Sequence, residues 1–307
     1  MRRLMIFAFF LSIIFFTASC GHVSQNIPKP ICPTIMEGKD LTKKISEKAL
    51  VINFGGIFNQ PSKTYKRFNE YFQSLGYECV SVDMPMRDTL FDKVPPHELG
   101  RVTLEDDLFY ACGRVTYLMN SHPGYLIILV GHSKGGVIVQ KLGEIFGNKV
   151  NAIVLLDSAA PDGISSFSFT GLWTFKELLI YDSISWRNEP VSRSLTATVY
   201  GVFDDKVSPE DAFNAWKNLV WESGRILWQL LFDKLPVNES KVVCPMLVIG
   251  ATNDRLVPSS TTYEIAAKYK HSTLIFFEGP HYLPFDRNRG PQVWWTIDSW
   301  LRQELAL

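Results

Sequence analysis

Gly131-His132-Ser133-Lys134-Gly135 has the form G-x-S-x-G. A serine hydroxyl is a poor nucleophile until a neighbouring base takes its proton. The chain carries six histidines: His22, His97, His122, His132, His271 and His281. His281 follows a predicted strand, Thr273–Phe277, through Gly279-Pro280, which puts it at a strand's carboxyl end. His122 and His271 precede strands and fall at the opposite end. His132 adjoins Ser133 and is expected to point away from it, and His97 lies in a loop and stays open as a second base. A histidine base needs a carboxylate to fix its tautomer. Asp254, after the predicted strand Met246–Ile249, is the first choice, and Asp157, after the predicted strand Ala152–Leu156, is the competitor.

Attack on a carbonyl also requires donors for the oxyanion. The backbone N–H of Lys134 is one. The other belongs to the loop Phe54-Gly55-Gly56-Ile57-Phe58, with Gly56 and Ile57 both candidates. The Lys134 side chain reads as solvated, the alternative being attraction of an anionic substrate. Such chemistry calls for no metal and no cofactor, and the five cysteines form no CxxC pair.

The elements that must position these residues alternate. Ala49–Phe54 and Tyr125–Val130 are unbroken apolar runs, as in strands buried on both faces of a parallel sheet. Tyr77–Val82 is a further strand. Helical spacing covers Tyr65–Leu75, Val102–Met119, Gly135–Phe146, Ser259–Tyr269 and Gln292–Leu305. The order predicts an α/β protein with a doubly wound, mostly parallel sheet. About 161–240 reads as an insertion forming a helical cap over a cleft. It holds Trp173, Trp186, Trp216, Trp221 and Trp228, with Phe167, Phe169, Phe175, Phe203, Phe213 and Phe232; most of these are expected to pack the cap's own core.

With 46% hydrophobic residues and 20% charged, the chain is neither a disordered nor a multispan membrane protein. Lys+Arg and Asp+Glu are both 31, without the basic excess of a nucleic-acid binder.

Residues 48–305 resemble an α/β-hydrolase-fold serine hydrolase. VINFGGIF resembles the oxyanion loop, GYECVSVDMP the next strand, GHSKGG the nucleophile elbow, ATNDRLVP the acid loop and GPHYLPF the histidine loop. PPHELG, LLDSAAPDGI and WESGR resemble a capped esterase-like or lipase-like subgroup. The resemblance implies a triad in the order Ser133, Asp254, His281. It also implies hydrolysis of a carboxylic ester, thioester or lipid through an acyl-enzyme. An acyltransferase, or a non-catalytic binding protein on the same scaffold, remains the alternative; cofactor-free haloperoxidase chemistry has no residue pointing to it.

Arg2 and Arg3 precede an apolar run, Leu4–Phe16, broken by Ser12, as in a secretory signal peptide of residues 1–19. Thr17-Ala18-Ser19-Cys20 resembles a bacterial lipobox, which implies lipidation of Cys20. Residues 20–40, with Pro28, Pro30, Pro33 and Gly38, then read as a tether. The hydrolase domain spans 41–307. The expected location is the bacterial cell envelope, membrane-anchored, with soluble export to the periplasm or medium as the alternative. Cys32, Cys79, Cys112 and Cys244 could pair there, or remain isolated thiols.

Overall fold

The computed structural model describes residues 44–165, 171 and 185–307. The signal peptide, Cys20, the tether, Cys32 and the insertion aromatics Phe167, Phe169, Trp173 and Phe175 lie outside them.

Six parallel strands form one sheet in the order β2-β1-β3-β4-β7-β8. They are β1 (Ala49–Phe54), β2 (Glu78–Val82), β3 (Leu126–His132), β4 (Ala152–Leu156), β7 (Met246–Ala251) and β8 (Ser272–Phe277). A two-residue antiparallel pair, β5 (Pro190–Val191) with β6 (Glu222–Ser223), stands apart within the insertion. The unbroken apolar runs are explained by two cores. Leu50, Ile52, Leu129, Ile153 and Val248 enter one; Val51, Ile128, Val154, Leu247 and Ile249 enter the other. Alternate side chains along a strand point to opposite faces, so a strand covered on both sides must be apolar throughout.

Helices α3 (Leu104–Ser121), α4 (Lys134–Phe146) and α8 (Ser259–Lys268) supply Ala111, Val115, Val137, Leu142 and Ile265 to the first core. Helices α2 (Lys66–Ser74) and α9 (Gly290–Leu305) supply Phe68, Phe72, Val293, Ile297 and Leu301 to the second. A single turn, α1 (Pro61–Thr64), precedes α2. Thr103 caps α3 in a reciprocal box with Asp106, which fixes where this helix starts.

The expected helices and strands are present, with ends shifted by a few residues. The insertion expected to be a helical cap contains, among its described residues, α5 (Leu195–Val202), α6 (Pro209–Trp216) and α7 (Gly224–Phe232). Ser194, Ser208 and Ser223 each cap one of them by accepting a backbone N–H.

The strand order reverses between β1 and β3. In open α/β sheets ligands bind outside the carboxyl ends of the strands at such a switch point. The ends are in register there: Phe54 pairs with Gly131, Gly131 with Leu155, and Leu156 with Ile249.

Candidate active site

Ser133 sits at this switch point, between the end of β3 and the start of α4, with φ 53° and ψ −120°. A non-glycine residue rarely adopts that conformation, and here tight packing imposes it. A Cβ on Gly131 would lie 2.4 Å from the Gly135 carbonyl oxygen, and one on Gly135 would lie 2.2 Å from the Phe54 carbonyl oxygen. Glycine at both positions therefore lets β1, β3 and α4 close on the turn. Ser133 N donates to Leu156 O (3.1 Å), and Ala159 N donates to Ser133 O (2.9 Å), so the loop after β4 clips the turn from the other side.

Asp254 and His281 meet behind the serine. His281 Nδ1 donates to Asp254 Oδ2 at 2.6 Å, with both side chains almost fully buried. Asp254 Oδ1 accepts from Leu256 N (2.7 Å) and Val257 N (2.9 Å), which fixes the carboxylate. With its proton on Nδ1, neutral His281 keeps its Nε2 lone pair for a base's work. Ser133 and His281 line one cavity of about 410 Å³. The Ser133 hydroxyl does not hydrogen-bond His281 here, and such bonds commonly tighten only in the substrate complex.

His132, expected to turn away from the serine, bonds the histidine loop and not Ser133. Its Nε2 donates to the His281 carbonyl oxygen at 3.0 Å, and the two rings lie 4.6 Å apart. Burial, and then the neighbouring His281, hold its pKa well below the usual histidine value, so His132 is a neutral support for the histidine loop. His132, Asp157 and His281 bring potential ligand atoms within 4.8 Å of one another. One nitrogen of each ring is bonded, His132 Nε2 to the His281 carbonyl and His281 Nδ1 to Asp254, while His132 Nδ1 and Asp157 Oδ2 are buried without a partner among the described residues.

The other histidines fall elsewhere. His97, the alternative base, is exposed in a short 3₁₀ turn and pairs with Glu189 at 3.3 Å. His122 contacts Glu78 on the surface, and His22 is outside the described residues. Cys79, Cys112 and Cys244 are free thiols. Burial pushes Cys79 up to about 12 and Cys244 to about 11, so neither supplies a thiolate at neutral pH.

Gly56 and Ile57, the two candidates for the second oxyanion donor, both line the cavity. A Cβ on Gly56 would come within 3.0 Å of Ser133 Cβ, so a glycine there keeps the loop against the serine. The backbone of Lys134 opens α4, whose first amides have no partner within the helix and are suited to developing negative charge.

The Lys134 side chain is not solvated: it is 2% exposed. Its Nζ lies 2.9 Å from both Asp107 Oδ2 and Glu222 Oε2, and Arg87 pairs with the same two carboxylates at 3.0 and 2.9 Å. Two cations and two anions close a buried ring joining the loop after β2, α3, the elbow and the insertion. Burial alone would raise the Glu222 carboxyl. The attraction of Arg87 and Lys134 outweighs it and brings the group down to about 2. The sequence signal for this ring was slight, since its members are scattered from 87 to 222. The basic side chains that do reach the cavity wall are Lys63, Lys66 and Arg193.

The described insertion aromatics mostly pack on one another: Trp186 on Trp228, Trp228 on Phe232, Phe213 on Trp216. Phe203 alone of them lines the cavity, beside Phe58, Leu219 and Tyr282. Val220 N donates to Phe58 O, and Ser223 Oγ donates to Val102 O at 2.6 Å, stitching the insertion to the sheet side of the site.

A family model described as "Serine hydrolase (FSH1)" matches residues 194–293, a segment that holds Asp254 and His281 but not Ser133. No curated protein matches the chain significantly. Solved structures do. The chain is similar to a monoacylglycerol lipase of Paleococcus ferrophilus at 18% identity and TM-score 0.61, covering 85% of this chain and 97% of that one. It is similar to a thermophilic esterase of Thermogutta terrifontis at 15% identity and TM-score 0.60, covering 86% and 92%. A methylesterase from Arabidopsis aligns at 18% identity and TM-score 0.59, covering 84% and 99%. Six parallel strands in this order, helices on both faces and these likenesses together give one conclusion: the chain has the α/β-hydrolase fold.

Proposed function

We propose that the protein is a serine esterase that cleaves a carboxylic ester, a thioester or lipid ester included, through an acyl-enzyme on Ser133. The observation that carries this is the buried His281–Asp254 pair sharing a cavity with a serine held in a strained strand-to-helix turn. Ser133 Oγ attacks the carbonyl carbon while His281 Nε2 takes its proton. The imidazolium so formed is steadied by Asp254. The oxyanion is met by the amide of Lys134 and by that of Gly56 or Ile57. His281 then protonates the leaving alkoxide, and a water activated by the same nitrogen releases the acid. The names of the similar structures, lipase and esterase, agree with this reading.

The test is labelling with a fluorophosphonate. The native chain is expected to react, and Ser133→Ala to stay unlabelled. Labelling that persists in Ser133→Ala would place the nucleophile elsewhere.

We further propose that 1–19 is a cleaved signal peptide and that Cys20 carries a lipid anchor, holding a hydrolase domain with its 161–240 cap at the bacterial cell envelope. The basic start, apolar run and Thr17-Ala18-Ser19-Cys20 support this. Metabolic labelling with a fatty acid should mark the native chain and not Cys20→Ala; soluble export is the reading if neither is marked.

A further inference from the structure

The catalytic assignment leaves one buried carboxyl unexplained. Asp157 follows β4, is 1% exposed and adopts φ 44°. Its backbone N–H donates to Ile249 O, and its Oδ1 accepts from Ala251 N at 2.6 Å. Its carboxyl lies within 4.8 Å of a ring nitrogen of His281, whose Nδ1 is bonded to Asp254, and Asp254 is its neighbouring carboxyl. Asp157 Oδ2 meets no N–H or O–H donor among the described residues. Two neighbouring carboxyl groups inside a protein cannot both ionise without a cation, so one keeps a proton. The donor count says which. Asp254 accepts from Leu256 N, Val257 N and His281 Nδ1, whereas Asp157 accepts only from Ala251 N. The oxygen without a donor, Asp157 Oδ2, is where a proton turns an orphaned acceptor into a donor.

Resting on the serine-hydrolase reading of the site, we propose that Asp157 is a positioning residue. As a neutral acid it donates a hydrogen bond to Asp254 and so shares the carboxylate that orients His281. The titratable groups around it are Asp254 on the loop after β7, His281 on the loop after β8 and His132 at the end of β3; the Tyr65 hydroxyl donates to the Phe54 carbonyl. No Lys or Arg pairs with Asp157 among the described residues. Burial first, and then the Asp254 charge, push its pKa well above the usual carboxylate range. Asp157 thus ties two elements of the site together. Its neighbours Leu156 and Ala159 hold the Ser133 backbone, and its side chain holds Ala251 and Asp254.

The charge state has a consequence that simple packing lacks. A donor to Asp254 draws electron density from the carboxylate and limits how strongly it favours the imidazolium. Asp157→Asn is nearly isosteric and supplies the same pattern: Oδ1 accepts from Ala251 N and Nδ2 donates to Asp254. Asparagine also tolerates a positive φ. Asp157→Ala removes the donor.

The readout is the pH dependence of the second-order rate of fluorophosphonate labelling. It requires no knowledge of the natural substrate. Asp157→Asn should keep the native midpoint to within about 0.3 unit and most of the native rate. Asp157→Ala should move the midpoint up by roughly half a unit or more and slow labelling about ten-fold or more. If Asp157 is ionised in the native chain, Asp157→Asn instead deletes a buried negative charge beside His281. The midpoint then falls by about a unit or more, which overturns the proposal.

Carboxyl carbon-13 resonances of Asp157, assigned by difference from Asp157→Asn in the Ser133→Ala chain, give a readout independent of catalysis. A protonated shift at pH 7 supports the proposal and an ionised one sinks it. Failure of the serine-hydrolase reading would show separately, as a native chain that does not label at all.

Discussion

At the residue scale, the proposed roles are separable: Ser133 attacks, His281 carries the proton and Asp254 orients the ring. Ser133→Ala and His281→Ala should each lower kcat on a p-nitrophenyl ester by about 10⁴-fold. His97→Ala should leave it unchanged, since that ring is exposed and pairs with Glu189. Loss of activity in the 97 variant with retention in the 281 variant would reassign the base. The cavity wall offers a second residue-scale test. Phe203 lines a space of about 410 Å³, in the range of small-molecule sites. Phe203→Ala should shift the preferred p-nitrophenyl ester toward longer acyl chains, read as kcat/KM across a chain-length series.

At the scale of elements, the elbow stands on close backbone approach and on the buried ring of charges. Gly135→Ala sets a methyl 2.2 Å from the Phe54 carbonyl oxygen, so β1 or α4 must give way. A loss of about 3 kcal/mol is expected in urea unfolding. Lys134→Met leaves Asp107 and Glu222 facing Arg87 alone inside the protein. An uncompensated buried charge costs about 3–5 kcal/mol. Adding Glu222→Gln restores neutrality, so the double variant should be more stable than the two single losses together predict. Strict additivity would mean that the ring is not coupled.

At the scale of the whole molecule, Glu222 links the insertion to the body through its charge, and this makes the assembly acid-sensitive. Its carboxyl titrates at about 2 when folded and at about 4.3 when unfolded. A depressed value stabilises the fold fully above the unfolded pKa, and the contribution is lost as pH falls from about 4.3 toward about 2. Asp204 and Asp286, both held below the usual carboxylate range by Arg289, act in the same direction; for each, burial opposes the shift and the hydrogen bonds from Arg289 prevail. Thermal melts should therefore fall steeply in this window for the native chain. Glu222→Gln should flatten part of that fall, and an unchanged slope would remove Glu222 from the account.

The central strands were legible because burial on both faces forces unbroken apolar runs, as in β1, β3, β4 and β7; the edge strand β2, ECVSV, is partly exposed and has no such run. The residue pattern G-H-S-K-G, a histidine beyond Gly279-Pro280 and an aspartate beyond β7 were legible because strand ends are local features. The helical character of the insertion was legible but the bounds of its short helices were not, because they start at the serine caps Ser194, Ser208 and Ser223 and not at a clear change of apolar pattern. Tertiary structure alone decided that Lys134 is buried, since Arg87, Asp107 and Glu222 are remote in sequence and make that burial affordable only together. It alone brought His132 under His281 and Asp157 against Asp254, because a side chain's direction at a strained turn is set by what packs around it and not by its neighbours along the chain.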